Sequence, residues 1–339
     1  MSSSFHDLLI IGAGPCGLAA CISARREGLD AVVLDQGPVV SAILAYPTYA
    51  TFFSTAEKLS LGGVPFVVAD QKPTRRDALA YYRAIVRHFA LPVRQYERVT
   101  AVEGARGGFT VRSVAAGRER LTRARGVVVA TGYWGSPNRL GVPGEDLPHV
   151  THAYREGHEA FDLDALVVGG GNSAAEAALD LYRSGARVTL AHFGPTWDKR
   201  IKPWILPDIT NRIAEGSLAA RWNSRVVEIE PDTVTLDAPE GRTRVKADRV
   251  YLMTGFAPNV DLLVQAGVSI DPATGFPAHD PATLETAVAG VYIAGVVVAG
   301  YDANKVFIEN GRFHGDRIVA HLLGRATPPE PRLSRELDT

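Results

Sequence analysis

The sequence predicts an α/β fold made of two Rossmann-like dinucleotide-binding domains, the second inserted into the first. Three observations carry this expectation. A strand, a G-x-G-x-x-G turn and a helix open the chain at Asp7–Ala20 (DLLIIGAGPCGLAA), and a second glycine fingerprint, GGGNSAAEAAL, stands at 169–179. The pair Thr131-Gly132 before the middle segment is echoed by Thr254-Gly255 after it. At 339 residues the chain has room for about two domains of ordinary size. The expected boundaries are 1–138 with 256–325 for the first domain, 139–255 for the second, and 326–339 for a loose tail.

The first strand is Leu8–Ile11, too short an apolar run for a core helix and suited to a buried parallel strand. Gly12 then permits a sharp turn, Gly14 lets backbone approach a pyrophosphate, and Gly17 lets the helix lie close on its strand. Pro15 and Cys16 stand between them, where the first free N–H groups of the helix favour negative charge. Ala31–Leu34 is the next strand. It ends in Asp35 and Gln36, where a carboxylate can hold ribose hydroxyls and would repel a 2′-phosphate, which suits FAD.

Tyr46–Phe53 is aromatic-rich and leads into Ser54–Gly63, a segment of turn chemistry expected to lie across the ligand. Pro73–Ala90 has a helix signature: Thr74 can cap, and Leu79, Tyr82, Ile85, Val86 and Phe89 recur at three- and four-residue steps. Val99–Glu103, Phe109–Val114 and a short strand at Leu121 read as antiparallel, joined by Gly107–Gly108. Gly126–Ala130 reads as a separate buried strand running into Thr131-Gly132, a pair expected at the flavin. Gly135–Pro148 is dense in glycine and proline, including Pro137, Pro143 and Gly144, and reads as an interdomain linker.

The second fingerprint follows strand Ala165–Val168. Gly169, Gly171 and Ala174 give the G-x-G-x-x-A form, and Asn172 and Ser173 open the helix that runs to Arg183. Strand Val188–Ala191 ends at His192 with no acid. Lys199, Arg200 and Lys202 follow, so cations stand where the first unit has a carboxylate, which predicts NADPH over NADH. Val226–Glu230, Thr233–Leu236 and Val250–Thr254 complete this domain. Val291–Ala294 is a last core strand of the first domain, followed by Gly295. Lys305–Leu323 reads as one long helix, opened by Asn304, Lys305 and Val306, whose N–H groups would face a reduced flavin.

A net charge of −1 with no basic run leaves no electrostatic footprint for nucleic acid. No signal peptide and no membrane-length apolar stretch are read, which predicts a soluble, cytoplasmic protein. Cys16 and Cys21 are the only cysteines, so no disulfide framework is expected. His149, His152 and His158 cluster without the cysteines or carboxylates of a metal site, and no metal is expected. Tyr133 and Trp134 can shield a flavin face or fill the domain junction.

The order of these motifs resembles the thioredoxin-reductase-like flavoproteins, and more narrowly the YpdA family of bacillithiol disulfide reductases. The matching segments are GAGPCGLAA (12–20), TFFSTAEKLSLGG (51–63), ATGYWGSPN (130–138), GGGNSAAEAAL (169–179), IKPWILPDI (201–209) and AGVVVAGYDANKVFIENGRFHG (294–315). The resemblance implies FAD, NADPH, a bacterial cytoplasm, a homo-oligomer, and reduction of a small thiol disulfide with a bacilliredoxin-type partner downstream. Two departures matter. The wider group carries C-x-x-C in its inserted domain, and this chain has no cysteine there, which argues against thioredoxin as substrate. The wider group also has Gly-Asp before its last helix, whereas Gly295 is followed here by Val296.

Disulfide reduction needs a thiol to attack the substrate. Cys16 and Cys21 point about 140° apart on a helix turning ~100° per residue, so they do not pair within one chain. Cys16, at a helix start that lowers a thiol pKa, is the candidate catalytic residue. Packing in the loop is its other reading, and Cys21 reads as core. A ferredoxin or flavodoxin reductase, which needs no cysteine, and a non-catalytic redox sensor stay open as alternatives. A monooxygenase is disfavoured, since the F-x-G-x-x-x-H box before the second glycine motif is missing.

Overall fold

The computed structural model describes residues 5–199, 201–302 and 305–329. The expectations for Arg200, for Asn304 and for the tail beyond residue 329 lie outside the described residues. The described residues divide into two compact units. One takes residues 5–44, 50–136 and 257–329, the other residues 45–49 and 137–256.

In the first unit the opening strand, Phe5–Ile11, is central, with Leu8, Leu9 and Ile10 wholly buried. It pairs in parallel with Ala31–Leu34 on one side and with Arg118–Val129 on the other, so that Ile11 stands level with Leu34 and Val129. Val93–Arg94 extends the sheet beyond Ala31–Leu34. The strand Arg118–Val129 is continuous, which corrects the reading of a short strand at Leu121 and a separate Gly126–Ala130 strand. Its first half pairs antiparallel with Phe109–Ala115, which pairs in turn with Glu97–Glu103. Its last three residues pair in parallel with Val291–Ile293. One strand thus takes two partners in succession along one edge. Its first half is largely exposed and its second half buried, so the pattern reads as two elements.

The helix Arg75–His88 forms as its spacing requires, with Tyr82 and Ile85 buried. Thr74 accepts from the Asp77 N–H while the Asp77 carboxylate accepts from the Thr74 N–H, a reciprocal cap.

The single helix expected over Lys305–Leu323 is instead two, Ile308–Gly311 and His314–Leu322. Asn310 folds back to accept from the Phe307 N–H and donate to the Lys305 carbonyl, while Arg312 is drawn to the carbonyls of Glu57 and Ser60. Lys305 and Val306 therefore precede the helix and do not open it. The longer helix lies on the first helix, Pro15–Arg26, at very close range. A Cβ on Gly315 would sit 2.5 Å from the Ala20 Cα, and Ser23 donates to Asp316 at 2.6 Å beside that contact.

In the second unit, five described strands form a parallel sheet in the order Ala219–Arg221, Arg187–Ala191, Asp164–Val168, Arg249–Leu252 and Val150–Thr151. The helix Asn172–Arg183 buries a face of Ala174, Ala175, Ala177, Ala178, Leu179 and Leu181 on it. A three-stranded antiparallel sheet, Arg225–Ile229, Thr233–Ala238 and Gly241–Lys246, completes the unit.

The stretch read as a linker belongs to this unit from Pro137 onward. A Cβ on Gly144 would lie 1.8 Å from the Ile229 carbonyl oxygen. Glu145 is buried there and accepts from the N–H groups of Leu140 and Gly141 at 2.9 and 2.8 Å. Its glycine and proline content is that of a loop, but a loop fastened by a buried carboxylate. No helix among the described residues is long and apolar enough to cross a membrane.

Candidate functional site: two glycine loops at the ends of two parallel strands

Each unit ends its central strand in a glycine turn followed by a helix, and the three glycines of the first turn do different work. Gly12 adopts φ +113°, a conformation costly for other residues, and a Cβ there would meet the Ala130 carbonyl oxygen at 2.3 Å. A Cβ on Gly17 would meet the Gly12 carbonyl oxygen at 1.9 Å. Gly14 has an ordinary φ of −71°, and a Cβ there would meet nothing within 4 Å. Neither strain nor packing inside the protein requires glycine at that position, and the space in front of it is open.

The helix starting at Pro15 has no side-chain cap and no acid in its first turn. The helix at Arg75 is fully capped by its own side chains, so the contrast is local and chemical. Open space before uncapped N–H groups fits the pyrophosphate of FAD.

Asp35 is buried and turned onto this loop. Its Oδ2 accepts from the Ala13 N–H at 2.6 Å and its Oδ1 from the Gly37 N–H at 2.7 Å. Burial raises its pKa above the ordinary carboxylate range, and those two N–H donors hold part of the rise back. The carboxylate braces the glycine loop, with the Ser41 side chain as a third hydrogen-bond partner. Gln36 is exposed beside Gly135. Thr131 follows Ala130 directly at the Gly12 contact, and Gly132 turns with φ +69° into open space. Tyr133 is half-buried, with its ring edge-on to Trp134 at 6.3 Å.

Cys16 does not show the activated thiol its helix position suggested. Its sulfur is enclosed: a Cβ on Gly311 would approach Sγ to 2.7 Å, and one on Gly295 to 3.2 Å. Burial pushes the thiol up to about 12, outweighing the helix start. Cys21 is buried, and its thiol is also pushed up to about 12 by burial. The sequence reading missed Gly311 and His314, which shape this corner. Gly295 donates its N–H to Nδ1 of the buried His314, and Val306 stands beside Gly311.

The second loop repeats the build. Gly169 adopts φ +148° against the Met253 carbonyl, and Ala174 packs on it. Gly171 caps the helix Asn172–Arg183 with no side-chain bond, and Ser173 is exposed at its start. A Cβ on Gly171 would have only the Asp198 carboxylate near it, at 3.6 Å. The segment carrying the expected cations lies on this loop: Asp198 donates its N–H to the Gly170 carbonyl, and Lys202 donates its N–H to Asn172 Oδ1. Lys199 is exposed on the turn between them.

His192 is buried with its ring against Gly170 and Gly194. Burial lowers its pKa, with Asp198 pulling the other way, so it stands as a neutral ring and not as a cation. The other histidines do not converge. His152 faces Glu145 at 3.2 Å, and His158 stacks on Phe161. Among the described residues there is no group of three metal-ligating side chains.

Comparison with known proteins places the chain among pyridine nucleotide-disulphide oxidoreductases. The profile of the pyridine nucleotide-disulphide oxidoreductase family matches residues 9–295. The chain is 43% identical over 318 residues to bacilliredoxin reductase Bdr of Bacillus subtilis, covering 94% of this chain and 97% of that protein. Among solved structures it is similar to the bacillithiol disulfide reductases Bdr (YpdA) of two bacteria. For Bacillus cereus the identity is 42% with a TM-score of 0.93, and for Staphylococcus aureus 40% with 0.90. Each comparison covers 95% of this chain and 99% of the other.

Proposed function

Because the chain belongs to the pyridine nucleotide-disulphide oxidoreductase family, we propose that it carries reducing equivalents from NADPH through FAD to a low-molecular-weight disulfide, bacillithiol disulfide first among them. It is a disulfide reductase that uses FAD and a nicotinamide dinucleotide. The observation that carries the reading is the presence in one chain of two glycine loops without side-chain caps, each at the C-terminal end of a strand that has parallel neighbours on both sides. Two such loops serve a protein in which one carrier passes electrons to another. The disulfide is taken from what the similar proteins act on.

When bound, FAD supplies the redox chemistry, accepting hydride from nicotinamide and releasing electrons onward. The chain supplies position and electrostatics. Gly12, Gly14 and Gly17 shape the pyrophosphate cradle, Pro15 and Cys16 begin the helix behind it, and Asp35 and Gln36 hold the ribose end. Thr131, Gly132, Gly295, Lys305 and Val306 border the flavin side. Gly169, Gly171, Asn172, Ser173 and Ala174 form the second cradle, with His192, Lys199 and Lys202 around it. In this reading Cys16 is the thiol that exchanges with the substrate, once its sulfur is uncovered from Gly295 and Gly311. The protein works in the cytoplasm as a homo-oligomer, and a bacilliredoxin-type partner uses its product.

The test is steady-state NADPH oxidation by the purified yellow protein with bacillithiol disulfide, with ferredoxin or flavodoxin, and without acceptor. Turnover with the disulfide is expected. Turnover with ferredoxin alone would replace this reading by a ferredoxin reductase. Protein that is colourless and refuses excess flavin would overturn it entirely.

A further inference from the structure

A dinucleotide fold distinguishes a free ribose from one bearing a 2′-phosphate at the end of the second strand of its nucleotide-binding unit. Here that place is the end of Arg187–Ala191, where the chain continues His192-Phe193-Gly194. This turn is laced to a second segment far along the sequence. His192 donates its N–H to the Arg221 carbonyl, Asn223 donates to Gly194, and Ser224 donates to His192, each at 2.9 Å.

The lacing delivers Arg225 to the turn. Its guanidinium lies over the Phe193 ring, 4.9 Å from the centroid, and the ring is 60% exposed. An exposed cation on an exposed ring contributes little to the fold. What the arrangement does is fix a guanidinium at the strand end while leaving N–H donors for a ligand, in the planar fork that grips phosphate.

Two carboxylates, Asp237 and Asp198, stand near this arrangement. Asp237, level with Arg225 in the ladder, is held by Arg242 at 3.5 Å. Asp198 approaches His192 Nε2 at 3.8 Å, and the backbone N–H groups of Asp198 and Lys202 hold their segment on the glycine loop. Of the described cations expected from sequence, Lys199 is exposed on its turn and Lys202 holds its ammonium 5.5 Å from the Trp204 ring centroid, whereas Arg225 stands at the strand end itself.

We propose that Arg225, steadied on Phe193, reads the 2′-phosphate of NADPH and sets the preference over NADH. This rests on the reading of the second unit as the nicotinamide-dinucleotide site. On that basis Arg225 is a specificity residue, and Phe193 is its positioning residue.

The test uses the flavin-loaded protein and titration calorimetry with 2′,5′-ADP and 5′-ADP as probes. Wild type is expected to bind 2′,5′-ADP more tightly. Arg225→Gln should weaken 2′,5′-ADP by about 10- to 100-fold, as loss of a charged hydrogen bond does, and leave 5′-ADP within about twofold. Arg225→Lys should fall between, and Phe193→Ala should lose part of the discrimination with Arg225 intact. Added salt should weaken 2′,5′-ADP in wild type more than in Arg225→Gln. The ratio of KM for NADPH to KM for NADH should move in step. An Arg225→Gln that weakens both probes equally, or neither, overturns the proposal, as does a wild type that binds both alike. A wild type that binds neither probe overturns the site reading as well. Should the glutamine variant fail to fold, as judged by circular dichroism, the lysine variant and Phe193→Ala decide between the same outcomes.

Discussion

Gly295 donates its backbone N–H to Nδ1 of His314 at 3.1 Å, which fixes that imidazole as a neutral acceptor at the corner where Cys16 is enclosed. Burial, aided by Arg317 and His279, lowers the His314 pKa from 6.5 to about 4.

The first prediction is a pH dependence of stability. The unfolded chain takes up a proton near pH 6.5, while the folded one resists it until about 4. Between those values the unfolded state binds more protons, so stability falls as pH falls, by about 1.4 kcal/mol per pH unit at most for one group. Above pH 6.5 the group contributes nothing to the slope. Urea midpoints measured at pH 7 and pH 5 should drop for wild type, and His314→Asn should flatten that drop. An equal drop in the variant would assign the slope to other groups.

The second concerns the thiol. If Cys16 exchanges with the substrate, it must form a thiolate where burial holds the proton on, so kcat/KM for the disulfide should rise about tenfold per pH unit from pH 6 to 9. Cys16→Ser should keep its flavin and still oxidise NADPH with a one-electron acceptor, yet lose disulfide reduction by roughly two orders of magnitude or more. Full disulfide reduction by that variant would reduce Cys16 to a packing residue.

The third separates ligand space from protein packing within one loop. Gly14→Ala meets no protein atom and no backbone strain, so the chain should fold with an unchanged melting temperature while flavin content falls. Gly12→Ala meets the Ala130 carbonyl and a positive φ, and should lose stability outright. Normal flavin occupancy in Gly14→Ala would show that the pyrophosphate lies elsewhere.

The fourth tests the helix contact behind the site. Gly315→Ala places a methyl 2.5 Å from the Ala20 Cα, which has no flexible side chain to yield. Overpacking of this kind costs about 1–3 kcal/mol, visible as a lower denaturation midpoint. An unchanged midpoint would mean that the two helices slide apart freely.

The fold was legible wherever one short segment contains both the cause and the consequence. The glycines at 12, 14 and 17, the apolar strand before them, and Thr74 at a helix start state their structure within a few residues. The C-terminal helix was misread because apolar spacing continues through Gly311 to Phe313, whereas the break comes from Asn310 and Arg312 reaching groups outside the helix. The strand Arg118–Val129 was misread because its partners change halfway along.

The sequence by itself determined that two glycine fingerprints, each between strands, would make two sharp turns into helix starts, since turn geometry and helix starts are set by near neighbours. Only the tertiary structure decided that Gly295 and Gly311 close over Cys16, that Lys202 is tied to Asn172, and that Arg225 stands on Phe193. Those relations join residues far apart in the chain. Burial and close approach between such residues depend on how whole elements are stacked, a quantity no local pattern of amino acids contains.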